Sequence, residues 1–315
     1  MLIYDIISAI KESENMNHFS FELALVAVLP AIALCAYVFF KDRAEKEPIG
    51  LLAVLFGAGA LAYIPSVFVE RLFLNLIDKG FESSRVISPE GLITFESTKS
   101  EVLYLVLCAF FGFSLVRICF QWLCLFLITY KNKNFNYLFD GVVYSVFLSL
   151  GFAVAENVHF IMQNDIELLL PKLLTSVACQ LFVGIVIGYY YTMWHMRFNA
   201  NKIENALKEK RFVEKDNIKS SAPWLCAGIV IPFLTSAVYA LAGSLHNEII
   251  EIVFYTAVFT VFGISFLTVD QMASKDGSYG KYLYKIIAKG HPELSPEVIK
   301  NALAEEAESK KEDAE

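Results

Sequence analysis

The sequence predicts an all-α fold: a polytopic membrane helix bundle of about seven transmembrane helices, with its N-terminus outside and a cytoplasmic C-terminal tail. Three observations predict it. Of 315 residues, 56% are hydrophobic and only 19% charged, below the roughly 25% usual for soluble domains. The charges fall in short stretches between apolar runs of about 20 residues, the length that crosses a bilayer core. Lysines and arginines outside those runs divide 19 to six between alternating sides of the membrane, and the basic side is the cytoplasmic one.

Residues 1–20 carry Asp5, Lys11, Glu12 and Glu14 and are weakly amphipathic at their start. They lack a basic n-region and a small-residue cleavage site, so the first span is expected to act as an uncleaved insertion signal. The expected spans are 21–40, 49–69, 102–129, 141–162, 173–194, 224–243 and 249–269, which together make a bundle over 21–269. The third is long and holds Arg117 and Gln121, so it is expected to tilt or to break in two. The polar 70–101 segment is read as a loop with a short surface helix near Arg71–Ile77. Only Ser244–Glu248 joins the last two spans, which predicts an antiparallel hairpin. In the 270–315 tail, Ser295-Pro296 is a helix start, with serine as N-cap and proline at the first position. Val298, Ile299, Ala302 and Leu303 give that helix an apolar face, and the charge run Glu305–Glu315 reads as solvated or disordered. The six cysteines all lie in apolar segments without Cys-x-x-Cys spacing, which argues against a disulfide framework or a zinc knuckle. The net charge of −7 gives no support for nucleic-acid binding. The bilayer itself is the partner that composition implies.

An ionisable side chain inside a bilayer costs about 2.5–3.5 kcal/mol or more unless it is paired or wet. The spans hold Arg117, Glu156 and His159, with Gln121, Asn157 and Gln180 as neutral polar groups. Helical spacing gathers them into stripes: Ser145, Ser149, Phe152, Glu156 and His159 on the fourth span, Ser114, Arg117, Gln121 and Cys124 on the third, Ser176, Gln180 and Gly184 on the fifth. These stripes should face the bundle interior. At 1.5 Å per residue, Arg117, Glu156, Gln180 and Tyr239 all come out roughly 18–22 Å from the cytoplasmic end. A buried polar cluster with an Arg117–Glu156 ion pair is therefore expected, and the same pair also reads as a device that only fixes helix register. Glu156-x-x-His159 has the i, i+3 spacing of two ligands on one helix face. A catalytic zinc needs about three protein ligands, and apart from the offset Cys179 no other span is seen to supply one. No metal or other cofactor is therefore predicted, zinc being the one possibility with an incomplete ligand set.

Asp140-Gly141-Val142-Val143-Tyr144 followed by Leu150-Gly151-Phe152-Ala153-Val154-Ala155-Glu156-Asn157 resembles the PrsW family of intramembrane proteases, which is related to the CAAX prenyl endopeptidases. The Asp42–Glu47 run before Pro48, the order of spans three to six and the Gln180–Tyr190 stretch carry the same resemblance, over roughly residues 35–245. The family pattern has a Glu-Glu-x-x-Lys element before the Asp-Gly, a Phe-x-x-x-Glu, a histidine on the next span and a His/Asp pair on the one after. Here Phe152-x-x-x-Glu156 survives, whereas the other positions read Gln121 to Leu125, Gln180, Thr235 and Tyr239. Glutamine keeps hydrogen bonding but is neither base nor ligand, and peptide hydrolysis needs one or the other.

The expectation is thus a PrsW-like protein of the bacterial cytoplasmic (inner) membrane. Its catalytic set is reduced, and it binds a membrane helix or protein partner in the former active-site cavity, lined by Arg117, Gln121, Asn157, His159, Gln180, Thr235 and Tyr239. Two alternatives stand beside it. One is an active intramembrane endopeptidase of the PrsW type with Glu156 as catalytic residue. The other is a transporter-like or structural membrane protein.

Overall fold

The structure is a computed structural model that describes residues 21–42, 45–87, 93–95, 97–162, 169–243 and 248–312. The 1–20 segment, His18, and the 244–247 link with His246 lie outside the described residues. The described residues are all-α apart from one small two-stranded sheet. Its helices are α1 (Phe21–Lys41), α2 (Ile49–Gly80), α3 (Thr98–Thr129), α4 (Asp140–Ile161), α5 (Leu169–Glu209), α6 (Ala222–Gly243), α7 (Glu248–Ser274), α8 (Tyr279–Gly290) and α9 (Pro296–Glu312). Strands β1 (Arg85–Ile87) and β2 (Ile93–Phe95) pair antiparallel with Val86 opposite Thr94. Among the described residues five helices, α2, α3, α4, α5 and α7, are long and apolar enough to cross a membrane, while the described apolar parts of α1 and α6 are shorter.

The axis of the bundle is α4, with 16 of its 22 residues buried; it packs on α5, α2 and α1. Glycines make this possible. A Cβ on Gly59 of α2 would stand 1.9 Å from the Leu148 carbonyl oxygen, and one on Gly151 of α4 would stand 2.0 Å from that of Phe56. The two backbones therefore touch along a crossing that no side chain can enter, the packing mode by which membrane helices gain dispersion contacts without a hydrophobic driving force. On the opposite face, Gly188 of α5 sits against Gly141, where a Cβ would meet the Gly141 oxygen at 2.5 Å. At the periphery, α7 exposes Ile252, Val253, Phe259 and Leu267, a surface suited to lipid tails.

Three segments depart from the sequence reading. Instead of a loop with a separate surface helix at Arg71–Ile77, α2 runs on without interruption to Gly80. Apolar residues at Leu72, Leu74 and Leu76 sustain it, and the Leu74 side chain lies over Gly112. The third span does not break; it stays one helix through a π-helical stretch, Cys108–Ser114. There the Ser114 hydroxyl donates to the Ala109 carbonyl at 2.8 Å, and Gly112 admits Leu74. Such π segments accommodate an extra residue without ending the helix. Finally, α9 carries the charge run into regular helix up to Glu312. Lys202 and Lys210 of α5 pair with Glu306 and Glu305, so that part of the run is anchored.

The second half of α5 leaves the apolar zone and buries His195, Asn199 and Glu204 against the tail. Tyr279 of α8 donates its hydroxyl into this seam, 3.0 Å from His195 Nδ1, and accepts from Asn199 at 2.8 Å.

The α2–α4 crossing makes a sharp forecast. Gly151→Val should lower stability by about 1–3 kcal/mol or prevent folding, because the neighbour it meets is backbone and cannot yield. Gly57→Ala, where a new methyl meets nothing within 4 Å, should be neutral or gain about 0.5–1 kcal/mol from helix propensity. Thermal unfolding of both variants in detergent checks the pair.

Candidate functional site

The charged groups of the bundle converge on Arg117. It stands on α3 three residues past the π-helical stretch, with its guanidinium between α2 and α4. Nε donates to Glu70 Oε1 at 2.9 Å and Nη2 to Glu70 Oε2 at 3.4 Å, a fork on one carboxylate. On the other side Nη1 lies 3.0 Å from Glu156 Oε1. The second Glu156 oxygen accepts from the Ser176 hydroxyl of α5 at 3.4 Å. The site is thus one guanidinium held between two carboxylates, with one negative charge in excess when both are ionised. Arg117 keeps 20% of its side chain exposed, against 6% for Glu70 and 10% for Glu156, so the cluster opens on the arginine side, where the guanidinium also lies 5.8 Å from the Phe113 ring.

A second contact adjoins it. Tyr63 Oη of α2 is 2.6 Å from Nδ1 of His159, and the Tyr63 ring packs edge-on against Phe152 of the Phe-x-x-x-Glu stretch. Ser66 donates to the Tyr63 carbonyl at 2.7 Å. A third network lies one helical turn from Arg117. There Gln121 Nε2 donates to Gln180 Oε1 at 3.2 Å, and the Ser149 hydroxyl donates to Gln121 Oε1 at 3.0 Å. All three residues are buried.

The structure therefore brings Arg117 together with Glu156, and Gln121 with Gln180, but as two neighbouring networks and not one. Asn157 is fully buried with neither side-chain polar atom hydrogen-bonded, and it joins neither. Thr235 turns its hydroxyl back onto its own helix, to the carbonyls of Ile231 at 3.2 Å and Pro232 at 2.9 Å. The Tyr239 side chain lies outside what is described. The reading that no further span brings an acidic group to this level is corrected by Glu70. The expected second span stopped at residue 69, one position too early, because the glutamate and arginine that follow look like the start of a polar loop. Continued helically, Tyr63, Ser66 and Glu70 form an i, i+3, i+7 stripe, and that periodicity is the signal that would have found them.

Residues 47–266 match the family described as "PrsW family intramembrane metalloprotease". This chain belongs to the PrsW family. A relative named "Protease PrsW" from Geobacillus kaustophilus is 25% identical over 219 residues, covering 70% of this chain and 78% of its own length. The protein of the same name from Bacillus subtilis is 24% identical, covering 70% and 81%. That from Oceanobacillus iheyensis is 31% identical over 163 residues, covering 52% and 65%. No solved structure matches the chain.

The PrsW family description implies a metal, and the residues here do not fit one. A metal at this level would draw on Glu70, Glu156 and His159. The guanidinium already occupies the space between the two carboxylates, and a cation cannot enter there without displacing it. His159 turns Nδ1 to Tyr63. Among the described residues no three His, Cys, Asp or Glu side chains are grouped as metal ligands.

The three-membered ion cluster should behave as a unit. Arg117→Ala strands two carboxylates and should destabilise by about 3–5 kcal/mol. Adding Glu156→Ala to it should cost less than the sum of the two single changes, with a coupling of about 0.5–3 kcal/mol. Denaturation of the four proteins of that cycle measures it, and strict additivity would contradict the pairing.

Proposed function

We propose that this PrsW-family protein binds a transmembrane partner at the Arg117 site without cleaving it. The observation that carries the reading is the engagement of Glu156. One of its oxygens faces the Arg117 guanidinium and the other accepts from Ser176. A general base must present a free lone pair to water, and a carboxylate held on both oxygens by a cation and a hydroxyl does this poorly. Glu70 is held more fully still. The exposed edge of Arg117, beside Phe113, suits a membrane helix that offers a polar side chain to the guanidinium while its apolar face meets α2 and α3. The bundle over 21–269 is read as seven spans with the N-terminus outside and the tail in the cytoplasm, on the strength of the lysine and arginine asymmetry. The bacterial relatives support a bacterial cytoplasmic membrane.

The experiment co-expresses the protein with a tagged membrane protein that co-purifies with it, and follows both fragment release and co-purification. The expected result is no fragment, with the partner retained equally by wild type and Glu156→Gln and lost or weakened by Arg117→Ala. A fragment released by wild type and abolished by Glu156→Gln would overturn the reading in favour of an active endopeptidase. Metal analysis of the same preparations is expected to give less than one zinc per chain, and stoichiometric zinc lost in Glu156→Gln would likewise count against it.

A further inference from the structure

We propose that the tail helices α8 and α9 are latched onto the bundle by protons held at two buried sites, so that the tail is released as the surrounding pH rises.

The first site is His291, which follows α8 directly and is 0% exposed. Its Nε2 lies 2.5 Å from Glu204 Oε1 on α5, and its Nδ1 lies 2.9 Å from Glu293 Oε1. A neutral imidazole has one donor and one acceptor nitrogen, and a carboxylate only accepts. Two carboxylates on the two ring nitrogens therefore require an imidazolium. The same Glu204 oxygen accepts the backbone N–H groups of Asn217 and Ile218 at 2.7 and 3.0 Å, and Ile218 packs against Gly290. One protonated ring thus ties together α5, the 211–221 connection and the α8–α9 corner. The other charged groups along this seam are the Lys202–Glu306, Lys210–Glu305 and Lys208–Asp216 pairs. Each has a substantially exposed partner, and exposed pairs contribute little.

The second site fastens the other end of α8. Asp276 Oδ1 accepts from the backbone N–H groups of Phe139 and Gly277 at 3.0 and 2.8 Å. Leu138 N–H donates to Gly277, and Tyr279 N–H to Asn136, which stitches the start of α8 to the start of α4. This junction faces Asp42, Glu47 and Asp140, all buried. Glu47 accepts the Tyr144 hydroxyl at 2.6 Å, and Asp140 Oδ2 accepts from the Asn136 and Tyr137 N–H groups at 2.8 and 2.7 Å. Both Asp42 oxygens, Asp140 Oδ1, Asp276 Oδ2 and Asn136 Oδ1 are buried with no hydrogen-bond partner. Five buried acceptors without a hydrogen-bond partner at one place, four of them carboxyl oxygens, call for protons or a positive charge. Among the described residues no three of these acids are grouped as metal ligands, and protons meet the need without such a cage. Lys46 turns its Nζ to the Phe39 carbonyl at 2.5 Å, from where its charge offsets only part of the effect of burial on Asp42, and Glu45 is occupied with Asn136 Nδ2 at 2.9 Å.

The electrostatics agree in direction. Burial pushes the Asp42 carboxyl up to about 6, and burial also raises Glu47 and Asp276. Burial pulls the His291 ring down, but its hydrogen bonds to Glu204 and Glu293 outweigh this and the net direction is up. A carboxyl raised in the folded state stabilises it least once the pH has passed the folded value. A histidine raised in the folded state contributes fully below its unfolded value and is lost as pH rises through the folded one. Both sites therefore weaken tail docking in the same direction, from the acidic range upwards.

Amide exchange of the full chain in lipid nanodiscs, corrected for intrinsic rates, tests this between pH 5 and 9. Protection of α8 and α9 should fall with rising pH, by up to about tenfold per pH unit for each proton released, while α4 stays protected. Glu293→Gln removes an exposed partner of His291 and should move the fall at α9 to lower pH. Asp42→Asn removes one titrating carboxyl from the cluster and should make the fall at Gly277–Tyr279 shallower. Flat protection across the range, loss of α4 in step with the tail, or restoration at pH 9 by millimolar calcium would each overturn the proposal.

Discussion

A guanidinium in an apolar bundle has to be neutralised where it stands, and much of this structure answers that requirement. Arg117 cannot reach a membrane surface from the middle of α3, so two carboxylates come to it from either side. Glu70 reaches it because α2 continues as helix past its apolar core, and Glu156 because α4 is pressed against α2 and α5. The π-helical stretch just before Arg117 rotates the remainder of α3 relative to its start, and so helps set where the guanidinium points. A buried cluster of this kind is a weak source of net stability; what it supplies is a single register for three helices.

That register depends on backbone contact. The Gly59–Gly151 crossing brings α2 and α4 so close that Tyr63 of α2 meets Phe152 and His159 of α4 directly. The Gly141–Gly188 contact does the same for α4 and α5, which places Ser176 beside Glu156. In lipid, where apolar side chains gain nothing by leaving the solvent, such close approaches carry a large part of the packing free energy.

In the proposed binding role, the chemistry of the centre is that of recognition. Arg117, Glu70 and Glu156 each face a group of opposite charge, and Gln121, Gln180 and Ser149 hydrogen-bond one another. The polar resources of the chain are concentrated instead at the tail end, where His195, Asn199, Tyr279, Glu204, His291 and the Asp42–Asp276 group bind α8 and α9 to the bundle. The family membership and this distribution together describe a PrsW scaffold whose centre is held by ion pairing and whose tail end carries a second set of buried titratable groups.

The sequence by itself determined the fold class, because long apolar runs can do little else than cross a membrane as helices, and it determined Arg117, Glu156 and their mutual facing, because helical periodicity puts them on inward stripes at matching heights. It also marked Gln121 and Gln180. Only the tertiary structure decided that Glu70 shares the arginine, that Tyr63 takes His159, and that Asn157 and Thr235 stand apart. The physical reason is that depth and periodicity locate a residue along and around its own helix, whereas partner choice depends on how closely neighbouring backbones approach and how far each helix extends. Those distances are decided by glycines on one helix meeting carbonyls on another, which no single segment reveals.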